Sequence, residues 1–202
     1  MGISLTKGQG ISLSKESGAT RFYIACGWHE ENGVDVDVSA FGCKVDADGS
    51  PYLLPGPDQY SNLCFFNNER TPDGAIVHSG DNRTGANNPS MRGTAAEHDD
   101  EAITVDIGAL DPAIDEVAII LTIHDAATRR QSFNKVKDSF VRICENDENG
   151  REIAAYKPTE DFGDFTAIQI GSLMKRTSGW EFEAVGQGYV ATFEQVVGQF
   201  VK

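Results

Sequence analysis

Four short stretches of acidic and amide side chains are the part of this sequence best suited to chemistry with a metal ion. They lie between residues 35 and 101 and consist of Asp35-Val36-Asp37, Asn67-Asn68, Gly80-Asp81-Asn82-Arg83-Thr84-Gly85 and Asp99-Asp100-Glu101. Each stretch ends or follows a segment with the pattern of a β-strand, so these side chains can meet at one rim of a sheet. Clustered carboxylates repel one another, and oxygen ligands without neighbouring Cys or His select a hard cation, Ca²⁺ before Mg²⁺. The pattern therefore predicts a calcium site.

The relative placement of Asp35 and Asp37 depends on the strand that carries them. Residues 34–41 alternate strictly between the two faces of a predicted strand. This period of two places Asp35 and Asp37 on the same face, with their Cα atoms about 7 Å apart. The opposite face carries the apolar residues Val36, Val38 and Ala40. One cation can therefore draw the two carboxylates together.

The rest of the chain also has the pattern of short strands separated by turns. Further strands are predicted at residues 22–28, 63–66, 75–78, 102–107, 117–123, 140–144, 152–156, 165–173 and 180–185. Residues 117–123 form the most apolar run and are expected to be the central strand. Residues 3–8 and 11–16 are expected to form two strands around a tight turn, and residues 109–115 one helical turn.

The C-terminal end differs, because apolar residues at helical spacing predict an amphipathic helix over residues 189–200. Together these elements predict an all-β fold. It is expected to be a β-sandwich of two mostly antiparallel sheets, with few short helices and the C-terminal amphipathic helix. Residues 1–202 show no break in composition and are expected to form a single domain.

The net charge of −14 excludes some classes of partner. Phosphate neutralisation by Lys and Arg supplies most of the affinity of nonspecific nucleic-acid binding, so no direct nucleic-acid binding is expected. Electrostatic docking on an anionic membrane is disfavoured for the same reason. The alternative explanation for the excess of Asp and Glu residues is that they keep the protein soluble.

The cysteines and the apolar runs bear on the cellular compartment. Four widely spaced cysteines form no CxxC pair, and the pattern predicts buried, reduced thiols at Cys26, Cys43, Cys64 and Cys144. The first residues lack the pattern of a signal peptide, and no run approaches the roughly 20 apolar residues of a membrane span. We therefore expect a cytoplasmic protein without membrane insertion.

No catalytic residues are predicted. The glycines in residues 186–191 fit a dinucleotide fingerprint, but the second parallel strand and the acidic residue about 20 positions further on do not follow. Residues 145–150 are interpreted as a hairpin turn and not as an EF-hand loop. The alternative to a binding protein is a metal-dependent hydrolase or phosphoryl-transfer enzyme that uses the same carboxylates. His78 or His98 would then be the candidate base.

The order of several motifs matches a known family over nearly the whole chain. These motifs are Gly27-Trp28, residues 35–41, Phe65-Phe66-Asn67-Asn68, Pro72-Asp73-Gly74, residues 78–85, Asp99-Asp100-Glu101, Ile123-His124-Asp125-Ala126, Gln131-Ser132-Phe133 and residues 180–188. In this order they resemble the tellurite-resistance TerD family. The Asn-Asn, Gly-Asp-Asn-x-Thr-Gly and Asp-Asp-Glu elements make the resemblance specific.

The resemblance implies a calcium-binding β-sandwich of bacterial tellurite-resistance and stress-response systems that holds two Ca²⁺ ions. It implies a binding module and not an enzyme. Other tellurite-resistance proteins, including a membrane-embedded one, are the implied partners. The metal-site residues, some of them contributing backbone oxygens, are Asp35, Val36, Asp37, Asn67, Asn68, Gly80, Asp81, Asn82, Thr84, Asp99, Asp100 and Glu101.

Overall fold

The computed structural model describes residues 2–30, 33–80, 99–158 and 162–202. In these ranges the strands, in chain order, are β1 (Ile3–Leu5), β2 (Gly10–Ser12), β3 (Arg21–Glu30), β4 (Val36–Val45), β5 (Pro51–Leu53), β6 (Leu63–Cys64), β7 (Ile76–His78), β8 (Glu101–Asp106), β9 (Glu116–Ile123), β10 (Val136–Glu145), β11 (Glu152–Tyr156), β12 (Ala167–Arg176) and β13 (Gly179–Tyr189). The α-helices are α1 (Leu13–Glu16), α2 (Ala126–Arg129) and α3 (Phe193–Gln199), and a 3-10 turn covers Phe133–Lys135.

The strands form two sheets. The first has the order β1-β11-β10-β3-β8-β7, and the second has the order β2-β13-β12-β9-β4-β5, with β6 also paired to β4. Strand β1 pairs with β11 in parallel, and the other described strand pairs are antiparallel. The predicted all-β architecture of two mostly antiparallel sheets with few short helices is confirmed.

The core lies between the two sheets and follows the alternation of the strands. Val36, Val38 and Ala40 of β4 belong to the large apolar cluster that also contains alternate residues of β3. Phe41, from the opposite face of β4, belongs to a second cluster on the outer side of its sheet. The two faces predicted for residues 34–41 are therefore confirmed. Strand β9 lies between β4 and β12, and all of its residues are buried, as predicted for the central strand.

Helix α3 covers the outer face of the second sheet. Val196, Val197 and Phe200 pack into the second cluster, where the ring of Phe200 lies 4.7 Å from that of Phe41. The helix is shorter than the predicted span of 189–200. It begins at Phe193 because Thr192 forms a capping box with Gln195, which ends the extended backbone that continues from β13.

Two further predictions are wrong. Residues 3–8 and 11–16 do not pair as a hairpin, since β1 pairs with β11 of the first sheet and β2 with β13 of the second. Strand β2 also ends at Ser12, where the backbone turns into α1 and buries Leu13. Residues 109–115 form turns and not a helical turn. Pro112 lacks the backbone N–H that a continuing helix would use.

The predicted hairpin of β10 and β11 is confirmed, with the turn at residues 145–150 between them. All four cysteines are free and buried, also as predicted. No helix in the described ranges has both the length and the apolar character needed to cross a membrane.

The buried thiols make the stability of the fold sensitive to alkaline pH. Burial raises the pKa of the Cys64 thiol from its ordinary value of 9.0 to about 12. The unfolded chain therefore loses this proton at a lower pH than the native protein. The stabilising contribution is complete below about pH 9 and is lost as the pH rises towards 12.

We expect the free energy of unfolding of the unsubstituted protein to fall more steeply between about pH 9 and pH 11 than that of Cys64→Ala. Urea denaturation at a series of pH values measures the two slopes. Cys64→Ala lowers stability at every pH by leaving a cavity, so the slope and not the absolute value is compared. Equal slopes would contradict the assignment of the raised pKa to Cys64.

Candidate metal site

Three consecutive carboxylates are buried where β8 begins. Asp99, Asp100 and Glu101 are 1%, 0% and 0% exposed, and they lie beside the end of β3. Acidic residues are almost never fully buried unless a partner compensates the loss of hydration. We therefore expect each of these three carboxylates to contact groups that stabilise its charge.

Asp99 is held by an arginine from β10. Arg142 Nε donates to Asp99 Oδ1 at 2.7 Å, and Arg142 Nη2 bonds to Oδ2 in the same bidentate pair. Burial acts to lower the pKa of Arg142, but the bonds to Asp99 outweigh it and raise the pKa above its usual value. The guanidinium therefore stays charged and neutralises one of the three carboxylates.

Asp100 and Glu101 accept hydrogen bonds from the backbone. The Trp28 N–H donates to Asp100 Oδ2 at 2.9 Å, and the Val38 N–H donates to Glu101 Oε2 at 2.8 Å. Val38 belongs to the second sheet and Glu101 to the first, so this bond joins the two sheets. Backbone donors stabilise a carboxylate without cancelling its charge.

His78 completes the contact with β4. The Gly80 N–H donates to His78 Nδ1 at 3.0 Å, which places the ring proton on Nε2. That nitrogen lies 3.1 Å from the Val38 carbonyl oxygen and 3.4 Å from Glu101 Oε2. His78 thus fixes Gly80, the residue that precedes Asp81 in the sequence.

Asp35 and Asp37 lie where β4 begins, against basic side chains. Asp37 Oδ2 is 3.9 Å from His124 Nδ1, and Asp35 Oδ2 is 4.0 Å from Arg129 Nη1. The Asp35 carbonyl oxygen accepts a hydrogen bond from the His124 N–H, and the backbone groups of an antiparallel strand alternate in direction. The Val36 carbonyl therefore faces the same edge of β4 as the Val38 groups that contact Glu101 and His78.

The other predicted ligands divide into two groups. Asn67 is exposed, and Asn68 closes a tight turn by donating from Nδ2 to the Leu63 carbonyl oxygen at 2.7 Å. Asp81, Asn82, Thr84 and the candidate base His98 lie outside the described residues. Within the described ranges, no three side chains of His, Cys, Asp or Glu converge at metal-ligand spacing. The twelve-residue metal site stays a prediction.

A comparison with known proteins identifies the family. Residues 1–200 match the family model described as the TerD domain. The chain belongs to the TerD family. The resemblance seen in the order of its motifs is therefore confirmed.

Relatives of this TerD-family chain have names from tellurium resistance and from stress response. It is 35% identical to the tellurium resistance protein TerD of Serratia marcescens, over 99% of this chain and 97% of that protein. It is 36% identical to the general stress protein 16U of Bacillus subtilis, over 94% of this chain and 92% of that protein.

The solved structures support the fold. A homologue of telluride resistance protein (TerD) from Streptomyces coelicolor A3(2) superposes with a TM-score of 0.62 and 22% identity. The match covers 89% of this chain and 96% of that one. At this identity the likeness shows the shared architecture.

Sequence reasoning missed Arg142, which sits inside an apolar strand and is the charged partner of Asp99 in this TerD-family protein. A basic residue within the run from Phe140 to Cys144 was the available signal, because Arg is rarely buried unless it is paired. Its partner is 43 positions away in the chain, so the pairing itself depends on the register of the first sheet.

Cys26 also lies beside the carboxylates. Burial, followed by the negative charges of Glu101, Asp99 and Asp100, raises the pKa of its thiol well above the usual value. The sulfur therefore stays protonated, whereas metal binding requires a thiolate. The donors that this site offers to a cation are oxygen atoms.

Proposed function

We propose that this TerD-family protein binds Ca²⁺ at the beginning of β8, beside the edge of β4 that carries Val38. The observation that carries the proposal is the run of three buried carboxylates, Asp99 to Glu101, the last of which bonds to the Val38 N–H at the edge of β4. The resemblance to the family implies that the site holds two ions and that further ligands come from the residues after Gly80 in the sequence.

The balance of charge supports a cation at this place. Among the described residues, Arg142 contributes a positive charge to Asp99, and the N–H groups of Trp28 and Val38 contribute dipoles to Asp100 and Glu101. Two unit charges about 5 Å apart repel by roughly 3 kcal/mol at an effective dielectric of about 20. A divalent cation would relieve this repulsion.

The chemistry of the donors favours calcium over a transition metal. Carboxylate and carbonyl oxygens suit hard cations, and Ca²⁺ accepts a larger and less regular oxygen shell than Mg²⁺. His78 uses Nδ1 to accept from Gly80, and its Nε2 faces Val38 and Glu101, which leaves neither nitrogen directed at a metal.

Calorimetric titration of Ca²⁺ into metal-free Asp100→Asn tests this site. The variant keeps the volume and an acceptor for the Trp28 N–H but loses a charge. We expect its calcium affinity to fall by about tenfold or more, because a ligand charge is removed. Asp147→Asn is the matched control, since Asp147 lies in the β10–β11 turn and accepts from the Asn149 N–H. Equal affinities for the two variants would show that calcium binds elsewhere or not at all.

We further propose that the calcium-loaded protein acts as an interaction module of a tellurite-resistance or stress-response system. The names of the Serratia and Bacillus relatives support this role. Other tellurite-resistance proteins, including a membrane-embedded one, are the proposed partners. We place the protein in the cytoplasm, with support from four free, buried cysteines that fit a reducing compartment.

A binding role is proposed over the hydrolase alternative because of His78. It is 4% exposed and both of its ring nitrogens have polar neighbours, so it is not poised to take a proton from a substrate. Phosphoester turnover by the calcium- or manganese-loaded protein that disappears in Asp100→Asn would favour the hydrolase instead.

A further inference from the structure

A cleft on the outer face of the second sheet has no role in the proposed calcium site beyond one shared residue, Asp37. It has a volume of about 500 Å³ and lies between α2 and the beginning of α3. Protein sites for small molecules range from roughly 300 to 1,000 Å³, so the cleft is large enough for one.

Two buried polar atoms at this cleft have no hydrogen-bond partner in the part of the chain that the structure describes. They are Ser39 Oγ on β4 and Gln131 Oε1 just after α2, and Ser39 is 1% exposed. Buried hydroxyl and amide groups are nearly always satisfied, because an unmade bond destabilises the fold. A ligand that donates hydrogen bonds would satisfy both.

The charges around the cleft favour a cation. Among the described residues, its lining contains three acidic side chains, Asp37, Asp125 and Glu194, and one guanidinium, that of Arg130. His124 lies between two of these carboxylates, 3.9 Å from Asp37 Oδ2 and 3.7 Å from Asp125 Oδ2. The chain as a whole carries a net charge of −14, which acts in the same direction.

An apolar groove continues from this cleft. Phe66 and Phe193 line both spaces, and the groove beyond them is also lined by Phe65 and by Tyr60, which is 45% exposed. The rings of Phe65 and Phe193 lie 5.1 Å apart. A ligand whose polar end reaches Ser39 can therefore extend an apolar tail along these aromatic side chains.

We propose that this cleft binds a primary ammonium compound with an apolar tail. The ammonium group supplies three donors, which match Ser39 Oγ, Gln131 Oε1 and a carboxylate of the lining. The apolar tail packs against Phe66 and Phe193, which line the continuation of the cleft. The ligand is thus an amphipathic organic cation.

Three six-carbon probes that differ in the polar group test the charge preference: hexylammonium, hexanol and hexanoate. Binding is followed by two-dimensional NMR of the full chain, with Ca²⁺ held at a saturating concentration. We expect hexylammonium to bind about tenfold or more tightly than the other two, the ratio that one charge-assisted hydrogen bond supplies. Equal affinity for hexanol, or preference for hexanoate, would overturn the proposal.

Two serine variants separate binding from structure. Ser39→Ala is expected to weaken hexylammonium binding about fivefold, while its melting temperature stays the same or rises because an unsatisfied hydroxyl is lost. Ser172→Ala is the matched control. Ser172 is also buried in the second sheet, but its Oγ donates to Glu116 Oε1 at 2.7 Å, so this variant should lose stability and keep its affinity.

Two results would contradict the proposal. One is a Ser39→Ala variant that loses stability and binds hexylammonium with full affinity, which would make the hydroxyl structural. The other is binding that appears in chelator and disappears when Ca²⁺ is saturating, which would mean that the amine only replaces the metal at Asp37. Since calcium binding is measured separately, failure here leaves the proposed function untouched.

Discussion

Removal of calcium is expected to lower the melting temperature of this protein by roughly 5–11 °C. A ligand that binds the native state alone adds about 2.7 kcal/mol at a free concentration about 100 times its dissociation constant. For a chain of this length, about 1 kcal/mol shifts the melting temperature by roughly 2–4 °C. The expected physical cause is the repulsion among the buried carboxylates of Asp99, Asp100 and Glu101, which a bound metal ion would relieve.

Calorimetric melts in excess Ca²⁺ and in excess chelator measure this difference, and Mg²⁺ in place of Ca²⁺ is the control for ionic strength and charge. Metal content is determined before each melt. An unchanged melting temperature after calcium is added to protein shown to be metal-free would refute calcium stabilisation.

Replacement of Arg142 by Met is expected to destabilise the fold by about 3–5 kcal/mol, because it leaves the buried carboxylate of Asp99 without its ionic partner. The methionine fills much of the space of the arginine stem, so the lost charge dominates the effect. Urea denaturation in chelator measures the free energy of unfolding. In saturating Ca²⁺ the loss should be smaller, since the metal can take over part of the compensation.

Arg151→Met is the matched control for Arg142→Met. Arg151 bonds to Glu145 Oε1 at 2.7 Å, but its side chain is 56% exposed, so its loss should destabilise the fold much less than the loss of Arg142. The double variant Arg142→Met/Asp99→Leu should recover part of the stability, because the buried carboxylate that Arg142 neutralises is removed as well. Equal costs for the two arginine variants would show that the buried pair does not contribute as described.

The sequence predicted local patterns better than long-range pairing. The two faces of β4 followed from the alternation of residues 34–41, because burial imposes a period of two on any strand with one face in the core. The same reasoning predicted strands at residues 3–8 and 11–16, which overlap β1 and β2, but it paired the two strands with each other. Their partners β11 and β13 lie more than a hundred residues away, so the local sequence pattern does not predict these pairings.

The candidate site shows the same difference between local patterns and long-range contacts. The buried run Asp99 to Glu101 was recognisable from residue type and position before a strand. The contacts that hold it, from Arg142 and from the Val38 N–H, depend on the packing of one sheet against the other. The helix was predicted to begin at residue 189 because apolar residues at helical spacing continue on the N-terminal side of Thr192. The capping box at Thr192 instead determines that α3 begins at Phe193.

The contacts of Glu101 and His78 with Val38 also protect this protein against self-association. Strand β6 pairs with Ala40 and Phe41, and beyond it the N–H and C=O of Val38 are taken by two side chains from the opposite sheet. An uncovered strand edge recruits strands from other molecules and leads to aggregation. The acidic cluster thus shields this edge, and any event that draws Glu101 away from Val38 would open the protein to self-association.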